Sequence, residues 1–339
     1  MNTLDSLWKR GQDFLGVRIP IMCGAMTWIS ESKFVSTVSN ADAFGCLAAG
    51  NVEPEQLEKE IQKTKALTDK PFAVNLITIA PNYHSHLRLA IETKVPFIIF
   101  AAGIPKISEI QTAKDGGAKV LCFASTETLA NKLIQRGADA LLLEGSEAGG
   151  HIGHVSLAIL LQQVLFTIDS VPVFVAGGIG SGRLIPHLLL MGASGVQLGT
   201  RFVVADECKA HPRFKEAFIK ARARDAVATP HIGSELHVVS VRALRNKGIE
   251  KFADLQMELI RLRRLGEITH EQAQYEVEKY WVGALKNAVE QGDVEKGSLM
   301  AGQSVGLVHR IQPLKEILDE LIREAEEEFV RIQKRLNAV

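Results

Sequence analysis

The feature that most constrains this chain is a series of eight short, continuous apolar runs, each bounded by glycine, proline or charge. They occupy residues 19–26, 43–50, 72–77, 97–103, 119–124, 140–145, 171–179 and 195–202. None alternates apolar with polar residues, and such runs read as parallel strands covered on both faces. Helical patterns fill the intervals. Glu53-Pro54-Glu55 opens one that reaches Leu67, Pro105 opens the next, and Ser125-Thr126-Glu127 precedes Leu129, Leu133 and Ile134. Alternating strand and helix demands a parallel sheet with right-handed crossovers, and eight such units close a barrel that has no edge strand. An open doubly wound sheet is the alternative. Against it, glycines cluster after the seventh and eighth runs, where phosphate sites form in barrels. The expected fold is therefore α/β, a (β/α)8 TIM barrel over residues 1–205.

Beyond that point the pattern changes. Residues 206–297 read as charged helices without strands, notably 252–265 and 270–285, and are expected to form a helical insertion or lid over the barrel mouth. Residues 298–339 form a barrel-closing segment that ends in an amphipathic C-terminal helix, 313–336. Leu314, Ile317, Leu318, Leu321 and Ile322 share one face of that helix, which should pack back on the barrel. One core suffices for the 339 residues, because barrels of this kind commonly exceed about 200 residues as a single unit.

Composition narrows the function classes. With 39 basic and 39 acidic residues the chain has no electrostatic claim on nucleic acid or an anionic membrane. The N-terminus carries no apolar run of signal-peptide length. The most apolar later stretch, 157–168, is broken by Gln162 and Gln163 and falls short of the roughly 20 residues a membrane helix needs. A cytoplasmic location is expected. Cys23, Cys46, Cys122 and Cys208 lack any C-x-x-C spacing and read as buried, reduced thiols.

In a barrel, functional groups follow the C-terminal ends of the strands. The first run ends in Gly24-Ala25-Met26 and the third contains Asn75. The sixth leads into Glu144-Gly145-Ser146-Glu147-Ala148-Gly149-Gly150-His151-Ile152-Gly153-His154, the seventh ends in Ala176-Gly177-Gly178-Ile179-Gly180, and the eighth ends in Gly199-Thr200-Arg201. Glycines after the seventh and eighth runs let backbone N–H groups approach an anion with no Cβ in the way, which implies a phosphate-bearing cofactor. A Rossmann reading of Gly178-Ile179-Gly180 fails, since the third glycine is misplaced and the strand is not the first. His151, just past a strand end in a loop too glycine-rich for a helix, is the candidate catalytic residue, as general acid or hydrogen-bond donor. Glu147, His151 and His154 would share a helix face as metal ligands, but Gly149, Gly150 and Gly153 argue against that helix, and no metal is expected. His84 and His86 read as solvated loop residues that are minor candidates for substrate contact, and residues 209–224 as a solvated, mostly basic helical face.

Six ordered motifs, PIMCGAM, KPFAVN, EGSEAGGHIG, VAGGI, QLGTRF and MAGQSVGL, together resemble the nitronate monooxygenase family, formerly called 2-nitropropane dioxygenases. That family includes the FMN-dependent enoyl-ACP reductases of type II. The resemblance spans residues 19–307 and implies FMN as cofactor. It implies that Gly24, Ala25, Met26 and Asn75 border the flavin ring, that Gly178, Gly199 and Thr200 hold its phosphate, and that Gln303 closes over it. Glu144, Gly149, Gly150 and Gly177 complete the expected cofactor-binding set. Glu144 stands where nitronate-oxidising relatives often have glutamine and looks more like the reductase branch, as do GTRFVVA and HPRFK. Cys23 replaces a glutamine common in the first motif.

The resemblance implies an FMN-dependent oxidoreductase that oxidises alkyl nitronates with O2, because that is the wider family and the 206–297 segment departs from the shorter reductases. Reduction of an enoyl thioester or a quinone with NAD(P)H is the alternative. A flavin-binding scaffold without turnover is a third reading, disfavoured by a histidine at the mouth. Expected partners are a small-molecule substrate, O2 or NAD(P)H, and a second copy of the chain in a homodimer.

Overall fold

The structure, a computed structural model, describes residues 4–50, 52–230, 232, 236 and 240–338. Its strands are β1 (Ile21–Cys23), β2 (Phe44–Ala48), β3 (Phe72–Ile77), β4 (Phe97–Ala101), β5 (Lys119–Ala124), β6 (Ala140–Glu144), β7 (Gly150–His151), β8 (Val173–Ala176), β9 (Gly195–Leu198), β10 (Ala226–Ala228) and β11 (Val241–Leu244). Eight of these form a closed parallel barrel in the order β1-β2-β3-β4-β5-β6-β8-β9, with β9 returning to β1 through Ile21↔Val196 and Cys23↔Leu198. The helices are α1 (Lys9–Leu15), α2 (Ser32–Asn40), α3 (Pro54–Leu67), α4 (Tyr83–Glu92), α5 (Ile107–Asp115), α6 (Glu127–Gln135), α7 (Leu157–Val164), α8 (Leu184–Leu190), α9 (Thr200–Val203), α10 (Pro212–Lys220), α11 (Lys247–Arg264), α12 (His270–Gln291) and α13 (Leu314–Leu336). The expected (β/α)8 barrel is the observed one.

Continuous apolar runs are required because each barrel strand buries both faces. In β4, Phe97 and Ile99 point into the barrel, while Ile98 and Phe100 pack in the shell against the helices. The lower barrel is filled by Met22, Phe44, Cys46, Ala73, Leu121, Leu142 and Phe174. Phe14 of α1 plugs the bottom, with ring centres 5.9 Å from Phe97 and 6.0 Å from Phe174, and Phe44 meets Phe97 edge-on at 5.0 Å. Such aromatic pairs add about 0.5–1.5 kcal/mol each beyond their burial. With that end filled, open space is left only at the C-terminal ends of the strands.

Several boundaries differ from the sequence reading. The first, seventh and eighth runs overshoot their strands, because apolar residues such as Met26 and Ile179 continue into loops that line the mouth. The segment 206–297 is not free of strands. It contributes β10 and β11, which pair antiparallel with each other and, through β11, with β7. These strands are three and four residues long, too short for periodicity to reveal. The charged face of 209–224 is solvated, with Lys209, Arg213, Glu216 and Lys220 exposed, but the helix buries Phe214 and Phe218 on its other side, where buried Lys215 donates from Nζ to the Ala205 carbonyl at 2.7 Å. His86 is buried in α4 with Nε2 2.9 Å from the Val52 carbonyl, whereas His84 is exposed. All four cysteines are buried and free. Among the described residues, no helix is long and apolar enough to cross a membrane.

The C-terminal helix returns to the barrel as its apolar face requires, burying Leu314, Ile317, Leu318 and Leu321. Polar contacts fix its position. Glu324 Oε2 accepts from Ser181 Oγ and the Gly182 amide, both at 2.7 Å, and buried Arg201 donates to Glu320 Oε2 at 2.8 Å. Gly182 permits this approach, since a Cβ there would lie 2.0 Å from the Leu321 carbonyl oxygen, a backbone atom that cannot swing aside. Gly182→Ala is therefore expected to cost about 1–3 kcal/mol and to make α13 more susceptible to protease. Thermal unfolding with limited proteolysis checks this, and an unchanged melting temperature would contradict it.

Candidate active site

Every barrel strand contributes to a cavity of about 360 Å³ at the mouth. Gly24, Ala25 and Met26 follow β1, Asn75 lies in β3, Glu144 ends β6, Gly177 and Gly178 follow β8, and Gly199 and Thr200 follow β9. Gly149, Gly150 and His151 lie on the same wall. Twelve of the thirteen residues singled out from sequence thus come together. Gln303 is the exception. It lines a separate recess with Gly178, Lys220, Arg222 and His309, while its amide donates to the Glu147 carbonyl at 2.9 Å.

The loop bearing His151 is held more firmly than its glycines suggest. His151 lies in β7, opposite Val241 of β11, and the next amide, Ile152, donates to the Ser240 carbonyl at 2.9 Å. Buried Arg242 bridges two segments, donating from Nε to the Ser146 carbonyl at 3.0 Å and from Nη1 to the Ala226 carbonyl at 2.7 Å. Gly149 allows residues 301–302 to run against the loop, because a Cβ there would lie 2.5 Å from the Gly302 nitrogen. Gly302 in turn donates to Thr200 Oγ1 at 2.9 Å. The sequence reading placed His151 in an irregular loop because its strand partner lies ninety positions downstream (241 − 151).

The polar groups fall into two sets. At one side, the Gly178 and Gly199 amides have no backbone acceptor among the described residues. The Thr200 hydroxyl already accepts from Gly302, so its proton is available to a ligand. This set of donors suits a phosphate. Elsewhere, the carboxamides of Asn75 and Gln197 are nearly buried and line the cavity without a protein hydrogen bond among the described residues. Such groups suit the polar edge of a planar heterocycle. Gln197 was missed from sequence because it lies within the eighth apolar run; the signal that could have found it is a lone glutamine in a strand buried on both faces.

Glu144 and His151 are the only ionisable side chains on this wall among the described residues. Burial pushes the Glu144 carboxyl up to about 8, so it is neutral at pH 7. Glu147 faces elsewhere, its carboxylate accepting from the Leu157 amide at the start of α7 at 2.9 Å. No group of three or more potential metal ligands occurs among the described residues. Cys23 packs in the shell between strands and helices, where burial raises its thiol well above the ordinary value. The remaining wall is mainly apolar, with Ile77, Ala101, Ile104, Phe123, Leu129 and Ile152 beside the hydroxyls of Thr27, Ser125 and Ser304.

A family model described as nitronate monooxygenase matches residues 9–84 and 77–324. The solved structure of FabK from Thermotoga maritima superposes with a TM-score of 0.85 at 35% identity, covering 99% of each chain. A curated relative from Rhodococcus jostii is 30% identical over 92% of this chain and 94% of its own. Its name is (3aS,4S,5R,7aS)-5-hydroxy-7a-methyl-1-oxo-octahydro-1H-indene-4-carboxyl-CoA dehydrogenase. A probable nitronate monooxygenase from Staphylococcus saprophyticus is 28% identical over 95% of this chain and 98% of its own.

The state of Glu144 can be read from stability. Its folded carboxyl binds a proton more tightly than in the unfolded chain, where it titrates near 4.5. That contribution is complete below pH 4.5 and is lost as pH rises through about 8. In ligand-free protein, Glu144→Gln is expected to remove this loss and to exceed wild type above pH 8 by on the order of 2 kcal/mol. The gain is less than the whole shift implies because the carboxyl lines an open cavity. Denaturant titrations across pH measure it, and parallel curves for the two proteins would contradict the assignment.

Proposed function

Because the chain belongs to the nitronate monooxygenase family, whose members are in general flavin-dependent oxidoreductases, we propose that it is an FMN-dependent reductase of α,β-unsaturated acyl thioesters. The observation that carries this reading is the wall of the cavity. It joins a phosphate-suited set of amides and two unpartnered carboxamides to an apolar surface with no Lys or Arg among the described residues. A small anionic nitronate would find no fixed cation there, whereas an acyl chain would find Ile77, Ile104, Phe123 and Leu129.

The relatives support the same choice. The length of the 206–297 segment first favoured nitronate oxidation, but FabK, an enoyl-ACP reductase II, is matched over 99% of both chains, so that segment is no departure from a reductase. The Rhodococcus jostii relative is named for a CoA thioester as well. Nitronate oxidation with O2 is the second reading, favoured by the name of the Staphylococcus saprophyticus relative.

FMN fits the residues present. The amides of Gly178 and Gly199 and the Thr200 hydroxyl would hold its phosphate, and Gly24, Ala25, Met26, Asn75 and Gln197 would border its ring. When bound, the flavin would supply hydride, derived from NAD(P)H, to the β-carbon of the enoyl thioester, with the α-carbon taking its proton from solvent. His151, on a strand pinned by β11, donates a hydrogen bond to the thioester oxygen as negative charge builds there. Neutral Glu144 adds no charge that would oppose this.

Anaerobic bleaching of the flavin-loaded protein separates the readings. NADH or NADPH is expected to bleach it and a 2-enoyl thioester to restore the colour. Bleaching by a nitronate and by neither nicotinamide would overturn the proposal in favour of the second reading. His151→Ala is expected to retain the flavin while turnover falls by about 10²–10⁴-fold; steady-state kinetics with a flavin absorbance spectrum measure both.

A further inference from the structure

The segment after the barrel reaches the site at a point the mechanism has not used. Glu278, on α12, places Oε1 3.7 Å from Nε2 of His151. That nitrogen is buried and makes no hydrogen bond. The contact is too long for a hydrogen bond, but a shift of roughly 0.8 Å would bring the pair to bonding distance. The helix is seated beside this point. Leu285 lines the cavity, Lys286 Nζ lies 4.9 Å from the centre of the Trp28 ring in the loop after β1, and buried Trp281 packs against Phe252 of α11 with ring centres 4.3 Å apart and planes tilted by 48°.

Other ionisable groups lie on elements packed against His151: Glu144 at the end of β6, Glu147 in the following loop and Arg242 on β11. Glu144 is neutral at pH 7, Glu147 is engaged by the Leu157 amide, and Arg242 is spent on two carbonyls. Among the described residues, only Glu278 offers a carboxylate to the imidazole.

We infer that Glu278 is a positioning residue for His151, delivered by the helical segment: it accepts Nε2–H, sets the ring's orientation and leaves Nδ1 to the substrate oxygen. The inference rests on the reading of His151 as the group that meets that oxygen. His151 carries two ring donors when doubly protonated, and a carboxylate that accepts Nε2–H turns Nδ1–H toward the substrate oxygen. Closure of α12 over bound substrate would tighten the contact, coupling the lid to the chemistry.

Glu278→Gln keeps the size and an acceptor oxygen but loses the charge, and Glu278→Ala loses both. Both variants are expected to keep flavin content and melting temperature, since Glu278 is partly exposed and 40% of its side chain is open. The alanine variant should lose about ten- to a hundred-fold in kcat with little change in KM. The glutamine variant, which keeps an acceptor oxygen, should lose less. Histidine ¹⁵N spectra should show Nε2–H of His151 hydrogen-bonded in wild type and free in the alanine variant. Wild-type kcat and an unchanged His151 ¹⁵N signature in both variants, alongside an inactive His151→Ala, would overturn the role of Glu278 and leave that of His151 standing. Full turnover in His151→Ala would instead overturn the reading on which the inference rests.

Discussion

Hydrogen bonding between β1 and β9 closes the sheet, and the rest of the molecule follows from that closure. Without it, β1 and β9 would expose unpaired edges. With it, all eight barrel strands point the same way around one axis, and their C-terminal ends converge on one mouth. Because Phe14, Phe44, Phe97 and Phe174 fill the opposite end, the ligand-sized cavity lies at the mouth. Residues as far apart as Gly24 and Gly302 share a wall for this reason.

What the wall can do depends on how little charge it carries. A carboxyl and an imidazole lie among amides, carboxamides and apolar side chains, so each acts in a medium that screens weakly. Burial keeps the carboxyl protonated, and the imidazole is steered by strand pairing and by Glu278. The barrel thus supplies donors and shape, while the segment between α10 and α12 supplies the contacts that hold His151.

Much of the barrel was legible because burial on both faces leaves continuous apolar runs, and because strand ends announce themselves by glycine. The runs 72–77 and 119–124 coincide with β3 and β5, and the glycines after β8 and β9 line the cavity with amides that have no backbone acceptor among the described residues. Less was legible where a side chain's role depends on distant partners. His86 reads as solvated until Val52 covers it, and Lys215 reads as a surface charge until the Ala205 carbonyl takes it. Gln303 lies in a motif typical of the family, yet its side chain faces a recess beside the cavity.

By itself the sequence determined the closed α/β barrel, the side on which the site lies and the residue types available there, since these follow from local periodicity and from where glycine interrupts it. Only the tertiary structure decided that β11 pairs with β7, that Gln197 faces the cavity, that Glu144 is neutral and that Glu278 meets His151. Each of these depends on groups brought together from far along the chain, and desolvation and hydrogen bonding are set by the packed surroundings that a linear pattern does not contain.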